Sequence, residues 1–199
     1  MQTEKVIDYI VNWLKDYATK AGVKGFVIGV SGGVDSGVVS TLCAMTGLKV
    51  LALEMPIRQQ KDQASRALEH IDFLKNKFPN VEGFTVDLNE PFEALYKTFD
   101  VKDDEFPAEK LAFANTRSRL RMLTLYYYGQ INGLLVCGTG NKVEDFGIGF
   151  YTKYGDGGVD VSPIADLYKT EVYALARALD LPESIKNAIP TDGLWDVDR

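Results

Sequence analysis

Apolar residues recur along this chain with two alternating periods. Val6, Ile10, Trp13, Leu14 and Tyr17 follow helical spacing and predict a helix over 3–20, ended by Ala21-Gly22-Val23-Lys24-Gly25. Residues 26–30 form a short apolar run of the kind that makes a buried strand, and 36–45 read as a helix closed by Thr46-Gly47. A second strand is expected over 49–55. A helix over 62–77 follows, with Ala64, Ala67, Leu68, Ile71 and Leu74 on one face. A third strand is expected over 81–88, then a helix starting at Asn89-Glu90-Pro91, where proline takes its favoured first-turn place. The charged stretch 101–106 reads as a loop. A long helix over 107–129 has Phe113, Leu120, Leu123 and Tyr127 as its core stripe. Residues 134–138 are a fourth strand, 165–179 a last helix, and 189–199 show no periodicity. Alternating β and α segments imply one α/β domain, a parallel sheet with helices on both faces. Ligands in such sheets bind beyond the carboxyl ends of the strands.

The stretch Ser31-Gly32-Gly33-Val34-Asp35-Ser36 lies at such an end. Strand, glycine loop and helix N-terminus together aim backbone N–H groups and the positive end of the helix dipole at one spot, which suits phosphate. No lysine is present, so this is no Walker loop, and the dinucleotide G-x-G-x-x-G spacing is absent. Asp35 would repel a phosphate unless a cation lay between them, which implies Mg²⁺. The loop alone is equally compatible with a plain β–α turn in which Asp35 and Ser36 cap the helix.

Two other segments carry candidate chemistry. In the long helix, spacing puts Asn115 and Arg119 on one face and Arg117 and Arg121 on another. Such arginines are either a solvated face or bidentate partners for phosphate or carboxylate. Seven glycines crowd the segment 138–158, too many for regular structure. Among them Glu144 and Asp156 are candidate metal or ribose contacts, and Lys142 and Lys153 candidate phosphate contacts.

Composition narrows the function classes. A net charge of −6 disfavours bulk nucleic-acid binding. No apolar stretch reaches the length of a membrane span, and the N-terminus lacks a signal-peptide pattern. Cys43 and Cys137, both in apolar elements, suit buried free thiols and a cytoplasmic location. His70, the only histidine, is expected at the surface or half-buried, so catalysis should not depend on imidazole.

The loop Ser31–Ser36 resembles the pyrophosphate loop of the N-type ATP pyrophosphatases, which cleave ATP between its α and β phosphates. Further segments bring the resemblance to NAD synthetase, the ammonia-using catalytic domain: Asn115…Arg119-Leu120-Arg121-Met122, Gly138-Thr139…Glu144 and Tyr154-Gly155-Asp156-Gly157-Gly158. Pro163…Leu167-Tyr168-Lys169-Thr170-Glu171 and Pro190-Thr191-Asp192-Gly193-Leu194 match it too. The resemblance covers nearly the whole chain. It implies an adenine nucleotide alpha hydrolase-like (Rossmann-like) fold and the amidation of deamido-NAD by ammonia at the expense of ATP.

The site residues it implies take four roles. Ser31, Gly32, Gly33, Val34, Asp35 and Ser36 would hold ATP phosphates, with Gln60, Arg119, Thr139, Lys169 and Thr191 also on ATP. Asp35, Lys169 and Thr191 would act in catalysis, and Asp35 and Glu144 would bind Mg²⁺. Asn115, Arg121, Lys153 and Asp156 would hold deamido-NAD. A homodimer with the dinucleotide at its interface is implied, and ammonia would come from solution or a separate protein. Three departures stand out. Glu54 stands where many members carry a basic residue, which would remove an ATP contact or move it to Arg58. The segment 144–150 is one residue longer than in some members. Members usually continue past this tail, so the chain reads as short or truncated at its C-terminus. The alternatives are another ATP pyrophosphatase with a different acceptor, or a non-catalytic nucleotide-binding module.

Overall fold

The structure, a computed structural model, describes residues 1–59, 61–99 and 107–188. Four parallel strands stand in the order β3-β2-β1-β4: β1 (Gly25–Gly29), β2 (Lys49–Glu54), β3 (Val81–Thr85) and β4 (Leu134–Val136). Helices α1 (Thr3–Ala21), α2 (Val34–Met45), α3 (Lys61–Lys77), α4 (Asn89–Thr98), α5 (Pro107–Asn132), α6 (Lys169–Ala178) and α7 (Glu183–Lys186) surround them.

Strand periodicity divides the core. Phe26 and Ile28 of β1, with Val50 and Ala52 of β2, face a cluster formed with α1, α2, α3, α6 and α7. Val27, Leu51 and Leu53, on the opposite face, pack with Phe92 of α4 and Phe113 and Leu120 of α5. Both faces are covered, so the strands are apolar throughout, as a buried parallel sheet requires. Each fully buried Phe or Leu contributes about 1.5–3 kcal/mol. The expected α/β architecture is therefore the one observed.

Several expectations are corrected. The inward stripe of α1 is Ile7, Ile10, Leu14 and Ala18, whereas Trp13 and Tyr17 are exposed. On α3 Leu68 also faces outward, and on α5 so do Leu123 and Tyr127. Each of these helices is apolar over more than one face, and periodicity does not say which face the sheet covers. The third strand stops at Thr85, the fourth at Val136, and the last long helix starts at Lys169. Between them Cys137 forms a parallel bridge with Val161, which extends the sheet edge beyond β4. His70 is fully buried, not half-exposed: its Nε2 lies 2.8 Å from Ser40 Oγ, and burial lowers its pKa to about 4. Both cysteines are buried and free, with sulfurs 3.5 Å apart.

Candidate active site

The carboxyl ends of β1, β2 and β4 open into a cavity of about 610 Å³. Its floor is the loop after β1. Gly32 turns there with φ of 81°, a left-handed conformation that favours glycine. The loop is tied by hydroxyls. Ser36 Oγ donates to Gly33 O at 3.0 Å and accepts from Ser31 N at 3.2 Å, and the two serine hydroxyls lie 3.1 Å apart. Gly33 is the N-cap of α2, with no side-chain cap. The first-turn N–H groups are thus left to a ligand, and the reading of Asp35 and Ser36 as caps is not realised.

Asp35 points instead to a charge cluster. Lys169 Nζ bonds Asp35 Oδ2 and lies 2.9 Å from Glu144 Oε1, while Asn141 Nδ2 donates to Asp35 Oδ1 at 3.2 Å. Burial raises the Asp35 pKa most; Lys169 and Asn141 oppose it, and Glu144 adds to it. Lys169 is raised overall because Asp35 and Glu144 outweigh its own desolvation, the largest single influence. Asn141 is fully buried and organises Glu144. Its Oδ1 accepts from Val143 N at 3.0 Å and Glu144 N at 3.2 Å, capping a π-helical turn, Lys142–Gly147. Next to it Asp145 also lines the cavity, its pKa raised to about 6 by burial first, then by Asp156, Glu144 and Asp35.

The opposite wall comes from α5 and the loop after the π turn. Ser118 Oγ donates to Asp156 Oδ1 at 2.6 Å and accepts from Asp156 N at 2.8 Å; Thr152 N donates to the same carboxylate at 2.9 Å. Gly155 is pressed against Ser118, so that a Cβ there would overlap Ser118 Oγ. Thr152 Oγ1 donates to Asn115 Oδ1 at 2.7 Å. Arg121 Nε donates to Met55 O at 3.1 Å and its Nη2 is enclosed without a partner; its pKa is lowered to about 10, by burial first and then by Arg117, against the opposing charges of Glu54 and Asp156.

The cavity thus gathers Ser31–Ser36, Thr139, Glu144, Lys169, Arg121 and Asp156 from the expected residues. Asn115, Arg119 and Lys153 do not line it: Asn115 braces Thr152, and Arg119 Nε donates to Lys153 O at 3.3 Å on the surface. Lys142 and Lys153 lie over the rings of Tyr168 and Tyr154. Arg58 is turned onto α4, with Glu93 at 2.6 Å and the rings of Phe92 and Tyr96 beneath its guanidinium. Gln60 and Thr191 lie outside the described residues. Asn141 and Asp145 were not anticipated, although Asn141-Lys142-Val143-Glu144 carries an N-cap signature, with its glutamate three residues on.

Comparison with known proteins decides the family. The family described as NAD synthase matches residues 6–198. The chain belongs to the NAD synthase family. Within it, the NH(3)-dependent NAD(+) synthetase of Carboxydothermus hydrogenoformans is 41% identical over 197 residues, 97% of this chain and 77% of the relative. Among solved structures, an NMN synthetase from Francisella tularensis superposes with a TM-score of 0.88 at 36% identity, covering 98% of this chain and 78% of that one. An NH3-dependent NAD synthetase from Campylobacter jejuni gives 0.82 at 32%, covering 94% and 77%. Family membership makes the chain an ATP-using enzyme acting on small molecules, with the fold its sequence implied. No helix among the described residues is long and apolar enough to cross a membrane.

Proposed function

We propose that this chain amidates deamido-NAD: the nicotinate carboxylate attacks the α-phosphorus of ATP, pyrophosphate leaves, and ammonia displaces AMP from the adenylate to give NAD. The observation that carries this reading is the meeting, in one cavity, of an uncapped helix N-terminus with the Asp35–Lys169–Glu144 cluster. Hydroxyls and N–H groups of the Ser31–Ser36 loop receive the β- and γ-phosphates. Lys169 neutralises charge as pyrophosphate departs. Arg121 and Asp156, on the opposite wall, orient the acceptor.

The donor set suits Mg²⁺. Asp35 and Glu144 present hard oxygens to a point where the Lys169 ammonium already stands as a cation. No group of three ligating side chains occurs among the described residues, and Mg²⁺ needs only one or two carboxylates besides phosphate oxygens. When bound there, it would screen the phosphates from both carboxylates.

The enzyme is proposed to act as a homodimer, in the cytoplasm, without nucleic acid or membrane. Exposed Leu123, Tyr127 and Ile131 at i, i+4 spacing on α5 support the dimer, the second copy being their cover. Arg119, Asn115 and Lys153, outside the cavity, would then meet the dinucleotide at the interface. Incubation with ATP, Mg²⁺ and ammonium, offering deamido-NAD and, in parallel, nicotinate mononucleotide, tests the reading. AMP and NAD should form in equal amounts from deamido-NAD. Formation of neither product overturns the proposal, and preferential use of the mononucleotide corrects its acceptor.

A further inference from the structure

One cation in the cavity has no role in the scheme above. Arg66 of α3 lines the cavity together with the Ser31–Ser36 loop, and its Nε is closed off from solvent without a hydrogen-bond partner. The other cationic side chains lining the cavity among the described residues are engaged: Lys169 by Asp35 and Glu144, and Arg121 through Nε by Met55 O. An enclosed guanidinium donor left unmatched is costly, so its partner should be a ligand.

The packing of α3 on α2 locates that ligand. His70 of α3 bonds Ser40, in the second turn of α2, and its ring also approaches Gly37 at the end of the first. Both helices follow parallel strands and so run in the same direction. Arg66 lies one turn before His70, which sets it level with the first turn of α2, where the free N–H groups are. At its end β2 contributes buried Glu54, an acid that cannot serve a phosphate. The positive charge comes instead from α3.

We propose that Arg66 binds the β- and γ-phosphates of ATP, the part that leaves as pyrophosphate. A planar guanidinium fork matches two phosphate oxygens, and the α2 dipole holds the same group from below. The assignment rests on the ligase reading for its ATP, but not for its chemistry.

Pyrophosphate binding, followed by calorimetry without turnover, separates the two. Arg66→Gln should weaken pyrophosphate binding and raise the KM for ATP by about tenfold or more, with the KM for deamido-NAD changed less than twofold. Arg66→Lys, a point charge in place of a fork, should fall between and carries the test if the glutamine variant fails to fold. A folded Arg66→Gln chain that binds pyrophosphate within twofold of the parent overturns the proposal, and so does a parent that binds no pyrophosphate. A parent that binds pyrophosphate tightly through Arg66 yet makes no NAD leaves Arg66 in place and removes the ligase reading.

Discussion

Asp35→Asn should separate activity from stability. The asparagine keeps the shape of the side chain but removes its charge. In the structure Asp35 is mostly enclosed, with Lys169 and Asn141 as partners and Glu144 as a like charge beyond Lys169. Its pKa is raised, burial being the largest cause. A raised carboxylate pKa means that the fold disfavours the ionised form. The stability linked to this proton is present below its ordinary value of 3.8 and is lost as pH rises through the folded value. At neutral pH the ionised Asp35 is therefore a net burden on the fold. Lys169 keeps Glu144 at 2.9 Å after the substitution. The variant should match or exceed the parent in stability at pH 7, by up to about 1 kcal/mol, or about 2–4 °C in thermal midpoint for a chain of this size. Turnover should collapse. A metal carboxylate contributes several kcal/mol of charge stabilisation, and at about 1.4 kcal/mol per tenfold this is about a thousandfold in kcat. Calorimetric melts at pH 4.5 and 7, with AMP release measured under saturating ATP, Mg²⁺, ammonium and deamido-NAD, provide both numbers. A drop of several degrees at pH 7, or turnover within tenfold of the parent, would refute the reasoning.

Other perturbations probe the same framework. Asn141→Ala should lose about 1–2 kcal/mol in denaturant titrations, because it removes the cap of the π turn and takes the acceptor from the N–H groups of Val143 and Glu144. Asp145→Asn should raise the thermal midpoint more at pH 7 than at pH 4.5, since the parent carboxyl titrates near pH 6 and its charge is disfavoured in the fold; an equal shift at both values would contradict that. Gly155→Ala should raise the KM for deamido-NAD severalfold with little change in the KM for ATP, because the added methyl displaces Ser118, which holds Asp156.

The sheet and its helices were legible because β1 and β2 are continuous apolar runs, which only a two-sided parallel sheet covers. The phosphate loop was legible because its chemistry is local: the six residues Ser31–Ser36 fix turn and helix start. What remained hidden depends on distance along the chain. Asn141 reaches Asp35 across 106 positions, and His70 reaches Ser40 across 30, so neither contact leaves a periodic trace. Leu123 and Tyr127 were misplaced for a related reason. On α5 apolar residues occupy several faces, and only the packed sheet selects Phe113 and Leu120 as the inner ones. Arg66 sits in a helix with no chemical signature of its own, and only the packing of α3 brings it to the cavity.

The Lys142–Gly147 turn bears on how the site tolerates change in length. An i→i+5 ladder, as in Ile148 N to Val143 O at 3.0 Å, winds one more residue into each turn than an α-helix does. Such a widened coil takes up an extra residue locally, without lengthening the path between its ends. Asn141 anchors one end and Thr152, through Asn115 and Asp156, the other. Between these fixed posts the chain can gain or lose a residue at exposed Phe146–Phe150 while Glu144 and Asp156 stay where they are. The turn thus acts as a splice, which lets this loop change in length without moving the carboxylates on either side.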